Sequence, residues 1–274
     1  SGITIEKENN ALLASTYGTG QMLLHAVKNG AKKVILGLGG SATTDGGTGL
    51  LKALGVKFVD KNGKETETGG KFLSEIAGID LSSLSEEVAE TEITVLCDVK
   101  NPLYGRNGAA YVYAPQKGAT EKEVILLDEG LRNLAEISKD ILNKDYSLYE
   151  GAGAAGGLGF ALVAFLGARL RSGIDAVLDA VSFEEKAKKA DLIITGEGKM
   201  DAQSFMGKVP FGVSERSGGT KVIAVVGLFE GDREKAKEKG ITEIYETNSL
   251  HKPFEEIKHR AKEDLINTVK AIEI

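Results

Sequence analysis

Apolar and polar positions follow one repeating order along the chain: a short apolar run, a glycine-rich turn, then an amphipathic segment. The apolar runs predict buried strands at 33–38, 56–59, 93–96, 190–195, 221–226 and 241–245. Apolar positions at helical spacing predict helices over 16–29, 48–54, 120–143, 160–170 and 255–272. Short buried strands that alternate with helices are typical of an α/β fold with a parallel, doubly wound sheet.

The pattern changes near residue 185, after which strands and helices alternate more regularly. With 274 residues, the chain is long enough for two ordinary domains. The sequence therefore predicts two α/β domains, over residues 1–185 and 186–274.

Composition narrows the classes of function. Hydrophobic residues make up 42% and charged residues 27% of the chain, as in folded globular proteins. The net charge is −6 and no long basic stretch is present, which argues against a nucleic-acid partner. No apolar run approaches the roughly 18 residues of a membrane helix, so no membrane partner is expected. The single cysteine, Cys97, fits a reducing, cytoplasmic location, and its apolar strand context favours a structural role.

Glycine is clustered rather than dispersed: the chain has 35 glycines and only 4 prolines. The loop at 39–47 combines glycines with hydroxyl side chains. Glycine frees backbone amides to converge, and hydroxyls and a following helix N-terminus add donors and positive dipole. We therefore predict a cradle for a phosphate or carboxylate, formed by Gly39, Gly40, Ser41, Thr43 and Thr44.

Two glycine patterns also match the dinucleotide-binding fingerprint. The first is Gly37, Gly39 and Ala42, with Asp60 about 20 residues further on, as that motif requires. The second is Gly151, Gly153 and Gly156, with Asp175 about 20 residues further on, but it follows a polar segment that does not resemble a buried strand. Such matches arise by chance in a glycine-rich chain, yet they leave an NAD(P)-dependent oxidoreductase of a small hydroxy acid as an alternative.

Acidic residues follow three of the predicted strands: Asp45, Asp98 and Glu197. In open parallel sheets, ligands bind outside the carboxyl ends of the strands. Carboxylates at that edge can hold Mg²⁺ or accept a proton from a hydroxyl group. We predict that Asp45 or Asp98 accepts the proton of a substrate hydroxyl.

The strand at 190–195 is followed by a predicted loop at 196–207, which we expect to bind nucleotide and metal. Gly196, Glu197, Gly198 and Asp201 would contact the nucleotide, with Glu197 and Asp201 near Mg²⁺.

Further polar residues in turns are candidate ligands for substrate or phosphate. Asn101 follows Asp98, and Lys117 and Lys208 lie in tight turns where an ammonium group could neutralise phosphate charge.

Several other chemistries lack their motifs. There is no P-loop pattern, because Gly207-Lys208 lacks the upstream glycine. Ser41 is not in a G-x-S-x-G elbow, since position 43 is threonine. The three histidines are dispersed, so we do not interpret them as metal ligands or bases.

Taken together, the motifs resemble the bacterial glycerate kinase type I family. Six segments carry the resemblance, in this order: GGSATTDGG at 39–47, CDVKNPL at 97–103, PQKGA at 115–119, GAGAAGG at 151–157, TGEGKMDAQS at 195–204 and GKVP at 207–210. The resemblance spans essentially the whole chain.

The resemblance implies phosphorylation of D-glycerate to 2-phosphoglycerate, with ATP and Mg²⁺ as cofactors. It implies two α/β domains. Residues 186–274 would be the C-terminal part of a Rossmann-like domain with a parallel sheet, and residues 1–185 would be a mixed α/β domain inserted into it, with the active site in the cleft between them.

The chain departs from the family at its start, because it has no Asp-Ser-Phe-Lys-type motif and begins without methionine. We therefore expect the Rossmann-like domain to be incomplete and the chain alone to have little kinase activity. A non-catalytic module that binds a sugar acid or phosphate is a further alternative. The sequence leaves the oligomeric state open, with a homo-oligomer as one option.

Overall fold

The computed structural model describes residues 9–201, 204–206 and 209–272. The fold is α/β, as predicted, and the chain divides into two compact units, Ser1–Arg171 and Ser172–Ile274. The predicted boundary at residue 185 lies 14 residues further along. Helices at 173–187 belong to the second unit because Leu178 and Ala187 pack with Ile193 and Val222 in one apolar cluster.

The first unit contains a small parallel sheet and a separate two-stranded antiparallel sheet. Its strands are β1 (Lys33–Gly37), β2 (Lys57–Val59), β3 (Gly78–Asp80), β4 (Glu92–Leu96) and β5 (Arg169–Arg171). The parallel sheet has the order β1-β4-β5, with Lys33 opposite Glu92 and Gly37 opposite Leu96. Strands β2 and β3 pair antiparallel with each other. Strands β1 and β4 therefore present their carboxyl ends at the same edge.

Helices of the first unit surround one continuous apolar core. They are α1 (Tyr17–Lys28), α2 (Thr48–Ala53), α3 (Glu86–Ala89), α4 (Ala109–Tyr113), α5 (Glu121–Leu142) and α6 (Leu158–Leu166). The long helix α5 starts at a capping box in which Thr120 and Glu123 satisfy each other's backbone amides. Its apolar stripe, from Val124 to Leu134, is buried in the core, which confirms the predicted single helix.

The second unit has a three-stranded parallel sheet in the order β6-β7-β8. Its strands are β6 (Leu192–Met200), β7 (Lys221–Phe229) and β8 (Ile241–Glu246). Its helices are α7 (Gly173–Ala180), α8 (Phe183–Ala187), α9 (Val209–Glu215), α10 (Arg233–Glu238), α11 (Phe254–Ile257) and α12 (Ala261–Lys270). Two smaller apolar clusters form its interior.

Three predicted elements differ most from the structure. The helix predicted over 160–170 ends at Leu166, where Gly167 adopts φ 63° and the chain turns into β5. The terminal helix predicted over 255–272 is two helices, α11 and α12. Strand β6 continues to Met200, five residues beyond its predicted end at 195, because its backbone stays paired with β7.

Candidate functional site

The loop after β1 has an exposed beginning and a buried remainder. Gly39 and Gly40 are exposed and Ser41 is half-buried, whereas every residue from Ala42 to Leu50 is buried. The Ser41 hydroxyl accepts a hydrogen bond from the Thr43 amide at 3.2 Å and lies 3.0 Å from the Thr43 hydroxyl. A ligand can therefore reach the backbone amides of the first part of the loop. The buried second part supports this exposed part.

Asp45 is fully buried, with 0% of its surface exposed. Its Oδ2 accepts hydrogen bonds from the amide and hydroxyl of Thr16, both at 2.8 Å, and from the amide of Gly49 at 3.3 Å. Its Oδ1 accepts one from the amide of Gly47 at 3.1 Å. Burial raises the pKa of this carboxyl group, and the four donors oppose that rise. The carboxylate thus ties the loop to the start of α1.

Lys117 lies beneath the same loop. Only 3% of its surface is exposed, and its Nζ donates a hydrogen bond to the Thr43 carbonyl oxygen at 2.6 Å. Burial lowers the pKa of this ammonium group to about 8, and the charge of Asp45 acts in the opposite direction. Lys117 is therefore a buried side chain that holds the backbone of the loop.

Hydrogen bonds join the loop at 39–47 to the glycine segment at 151–157. The Gly46 amide donates to the Gly156 carbonyl at 2.9 Å, and the Ser41 hydroxyl donates to the Ala155 carbonyl at 3.4 Å. The segment at 97–103 is hydrogen-bonded to the same glycine segment, because the Gly153 amide donates to the Asn101 carbonyl at 2.9 Å. Four of the motif segments, at 39–47, 97–103, 115–119 and 151–157, thus converge in the first unit.

Asp98 and Asn101 follow β4 at this edge. Asp98 is exposed, two residues beyond the end of the strand. The Asn101 side chain is held from two sides: its Nδ2 donates to the Asn107 carbonyl at 2.8 Å, and its Oδ1 accepts from the Tyr113 hydroxyl at 2.6 Å. Burial is the main cause that raises the pKa of Tyr113. Tyr113 was not singled out from the sequence, because nothing local links it to Asn101.

Cys97 lies just past the end of β4 and is half-buried. Its thiol donates to the Val99 carbonyl at 3.2 Å, and burial raises its pKa. A raised pKa disfavours the thiolate, which agrees with the structural interpretation of this residue.

In the second unit, Glu197 is a strand residue. It pairs with Val226 of β7, and its neighbours Gly196 and Gly198, which the sequence places in a loop, also belong to β6. That assignment was wrong because glycines usually mark turns, whereas here the backbones of β6 and β7 approach closely. A Cβ atom added to Gly196 would lie 2.7 Å from the Val225 carbonyl oxygen.

Ser204 links the two predicted metal ligands. Its hydroxyl donates to Oε2 of Glu197 at 3.2 Å and accepts from the Asp201 amide at 3.1 Å, while its own amide donates to Oδ1 of Asp201 at 3.3 Å. Ser204 is fully buried and was not predicted as a site residue, although it ends the motif at 195–204. Lys208 lies outside the described residues.

A cavity of about 440 Å³ borders Glu197 between β6, β7 and α12. Its lining is mostly apolar, with Leu265 and Val269 contributed by α12. Within the described ranges, no three His, Cys, Asp or Glu side chains are grouped as a metal cage.

The dinucleotide alternative lacks its structural context. The fingerprint requires the second strand to lie beside the first in a parallel sheet. Here β2 pairs with β3 in a separate antiparallel sheet, so Asp60 does not lie at the edge shared by β1 and β4. The Asp60 carboxylate instead accepts hydrogen bonds from the amides of Asn62 and Lys64 in the turn after β2, and these bonds lower its pKa. The acidic partner of the second match, Asp175, lies in α7 of the other unit.

None of the helices described, over 9–201, 204–206 and 209–272, is long and apolar enough to cross a membrane.

Comparisons with known proteins agree on one family. The model of the glycerate kinase family matches residues 1–273. Glycerate kinase of Halalkalibacterium halodurans is 46% identical over 86% of this chain and 63% of its own length. Glycerate kinase of Bacillus cereus is 44% identical over 97% of this chain and 70% of its own length. Glycerate 2-kinase of Escherichia coli K12 is 43% identical over 87% of this chain and 63% of its own length.

A solved structure gives the same result. The crystal structure of a Salmonella typhimurium LT2 protein assigned as glycerate kinase 2 matches with a TM-score of 0.78 and 36% identity, over 98% of this chain and 71% of that one. This chain thus spans between 63% and 71% of the length of these relatives. The agreement of a whole-chain family match, three named relatives and a shared fold means that this chain belongs to the glycerate kinase family.

Proposed function

We propose that this protein transfers the terminal phosphoryl group of ATP to a hydroxyl group of D-glycerate, giving 2-phosphoglycerate and ADP. Phosphoryl transfer needs an anion cradle, a divalent cation and a group that accepts the hydroxyl proton, and little covalent chemistry by the protein. Membership of the family supports the reaction. The convergence of four motif segments at the shared edge of β1 and β4 is the structural observation that carries the proposal.

The amides of Gly39, Gly40 and Ser41 are our candidates for binding an anionic group of the ligand. They are the accessible part of the loop, and they have no side chain larger than serine to block close approach. Asn101, fixed by Tyr113 and Asn107, keeps further donor and acceptor capacity for a hydroxyl group.

Asp98 is a better candidate for the proton acceptor than Asp45. A general base has to reach the proton that it removes, directly or through one water molecule. Asp98 is exposed at the edge where the motif segments converge, whereas the Asp45 oxygens are buried and engaged by four donors. We therefore assign Asp98 to proton transfer and Asp45 to holding the loop. Thr43 and Thr44 are buried as well, and we assign them to support rather than to direct contact.

Glu197 and Asp201 fit Mg²⁺ that arrives with a nucleotide. Magnesium in such sites is bound by one or two carboxylates together with phosphate oxygens and water. Two carboxylates joined through Ser204, with Glu197 bordering an open cavity, offer that donor set. The cation would neutralise charge on the transferred phosphoryl group.

Asp98→Asn tests the assignment of the base. We expect kcat to fall about 10²- to 10⁴-fold, because the amide cannot accept the hydroxyl proton, with little change in D-glycerate affinity. ADP release is measured with D-glycerate and ATP, and ³¹P NMR identifies which hydroxyl carries the phosphate. Calorimetry with D-glycerate and with a non-hydrolysable ATP analogue reports binding separately from turnover.

Asp60→Asn is the matched control, because Asp60 lies in an exposed turn and its amide variant keeps the turn acceptors. Its kinetics should equal those of the wild type. Absence of both binding and turnover in the wild type would overturn the proposed function, whereas full activity of Asp98→Asn would overturn only the role of Asp98. Cytoplasmic location and a homo-oligomeric state stay predictions.

A further inference from the structure

The buried face of the 39–47 loop contains a group that the proposed reaction does not use. Lys117 ends a short 3₁₀ turn at 115–117, and the following Gly118 adopts φ 88°. This turn directs the lysine side chain inward, so that its charged end lies under Thr43 instead of in solvent. The sequence suggested a ligand for phosphate, but a side chain that is 3% exposed cannot offer its ammonium group freely to a ligand.

Burial of an ammonium group is costly, since it loses hydration and gains only the partners that the protein supplies. Within the described part of the chain, the Thr43 carbonyl is the hydrogen-bond acceptor of Lys117 Nζ. A neutral side chain of similar shape would avoid the desolvation cost. The charge of Asp45 favours the ammonium group, but the hydrogen bond to Thr43 is the direct contact that an apolar residue at this position would lack.

The Thr43 carbonyl is a sensitive point of the loop. In a trans peptide, the carbonyl and the following N–H point in opposite directions, so that fixing one fixes the other. The Thr43 carbonyl also packs against Gly156, where an added Cβ would lie 2.0 Å from its oxygen. Two residues further on, the Asp45 carboxylate holds the loop to Thr16. The peptide planes between these two anchors cannot rotate independently.

We infer that Lys117 is a positioning residue of the proposed glycerate kinase site, which acts on the ligand only through the Thr43 carbonyl and the shape of the loop at 39–47. The inference rests on the proposed function for its effect on catalysis. The effect on the loop itself does not depend on it.

Lys117→Met tests the inference, because methionine keeps the length and apolar stem and removes the donor. We expect faster amide hydrogen exchange across 39–47 and a 10- to 100-fold fall in kcat/KM, mainly through kcat. The melting temperature at pH 7 should stay within a few degrees of the wild type. Lys117→Gln keeps a neutral N–H donor on a shorter stem, and should restore part of the exchange protection and part of the rate.

Lys122→Met is the matched control, because Lys122 is exposed in the first turn of α5. It should change neither the exchange across 39–47 nor the rate. Wild-type exchange and rate in Lys117→Met would overturn the inference. Unchanged exchange with a raised KM would also overturn it, since that result identifies a direct ligand. If the wild type neither binds nor phosphorylates D-glycerate, the proposed function fails, and the hydrogen-exchange comparison alone decides the role of Lys117 in the loop. If Lys117→Met does not fold, Lys117→Gln carries the same comparison.

Discussion

At the scale of single residues, burial separates those that can meet a ligand from those that hold them in place. Gly39, Gly40 and Asp98 are exposed, whereas Thr44, Asp45 and Lys117 are not. Side-chain chemistry alone does not separate ligand-binding residues from supporting residues, since hydroxyls, carboxylates and ammonium groups can all bind anions or cations. Burial in the folded protein is what separates residues that can contact the ligand from residues that hold the loop in place.

Thr44→Val should stabilise the protein by about 0.5–2 kcal/mol. The Thr44 hydroxyl is buried with 0% of the residue exposed, and its oxygen has no hydrogen-bond partner among the described residues. Valine has the same shape and removes the unsatisfied group. Urea unfolding measures the change.

Thr48→Val is the matched control, because the equally buried Thr48 hydroxyl donates to the Asp45 carbonyl at 2.8 Å. Loss of this bond should destabilise the protein by about 1 kcal/mol. A loss of stability in Thr44→Val as large as in Thr48→Val would contradict the prediction and indicate a bound water at Thr44.

The ionisation of Lys117 predicts a pH dependence of stability. Its pKa is lowered from 10.5 to about 8 in the folded state. Between these values the unfolded chain binds a proton that the folded chain does not, so stability rises with pH. The wild type should gain on the order of 3 kcal/mol relative to Lys117→Met as the pH rises from about 8 to 10.5.

Urea unfolding of both proteins at several pH values measures this difference, in which the titration of other lysines cancels. A constant difference across the window would show that Lys117 has an ordinary pKa in the folded protein.

At the scale of elements, the contact between the 39–47 loop and the 151–157 segment depends on glycine. Gly156 adopts φ 70°, and a Cβ atom there would lie 2.0 Å from the Thr43 carbonyl oxygen. Gly156→Ala should destabilise the protein by about 3 kcal/mol or more, because both the backbone and the contact are strained.

Gly63→Ala separates these two causes. Gly63 has a similar φ of 78°, but nothing lies within 4 Å of an added Cβ. Gly63→Ala should destabilise the protein by about 1 kcal/mol, from backbone strain alone. Equal melting temperatures of the two variants would show that the 39–47 and 151–157 segments do not pack closely.

Sequence periodicity predicted six of the eight described strands and the four longest of the described helices, because long helices and buried strands show in local spacing. The helix α5 shows this best, since its capping box and apolar stripe both lie within 24 residues of sequence. Strand β5 was missed: it has only three residues, two of them arginines, and forms because β4 lies beside it. Glu197 was misassigned for the same reason, since β7 keeps β6 extended through two glycines.

The site was predicted in part. The motif segments were visible in the sequence, but their convergence was not, because Lys117 and Thr43 are 74 residues apart and Ser41 and Ala155 are 114 apart. Tyr113 and Ser204 could not be recognised as partners of site residues, because only tertiary contacts bring them to Asn101 and Glu197.

At the scale of the whole molecule, each unit has an interior of its own. One continuous apolar cluster fills the first unit, and its described members all lie between Ala11 and Leu170. Two smaller clusters fill the second unit, and their described members all lie between Ile174 and Ile244. A unit whose apolar core is complete within its own sequence has what independent folding requires.

A fragment of residues 1–171 should therefore fold by itself. It retains the parallel sheet, helices α1 to α6 and the hydrogen bonds that join the loops at 39–47, 115–117 and 151–157. We expect a cooperative urea transition, dispersed amide signals in NMR, and slow hydrogen exchange within α5.

The variant Leu131→Ala, which removes a fully buried core side chain, should lower the stability of the fragment by about 2–5 kcal/mol, as in the whole chain. Leu148→Ala is the control, since this side chain is 76% exposed and its loss should change stability by less than about 0.5 kcal/mol. A fragment without a cooperative transition would show that the first unit depends on the second for its fold, and the loop anchors at Lys117 and Asp45 would then depend on the whole chain.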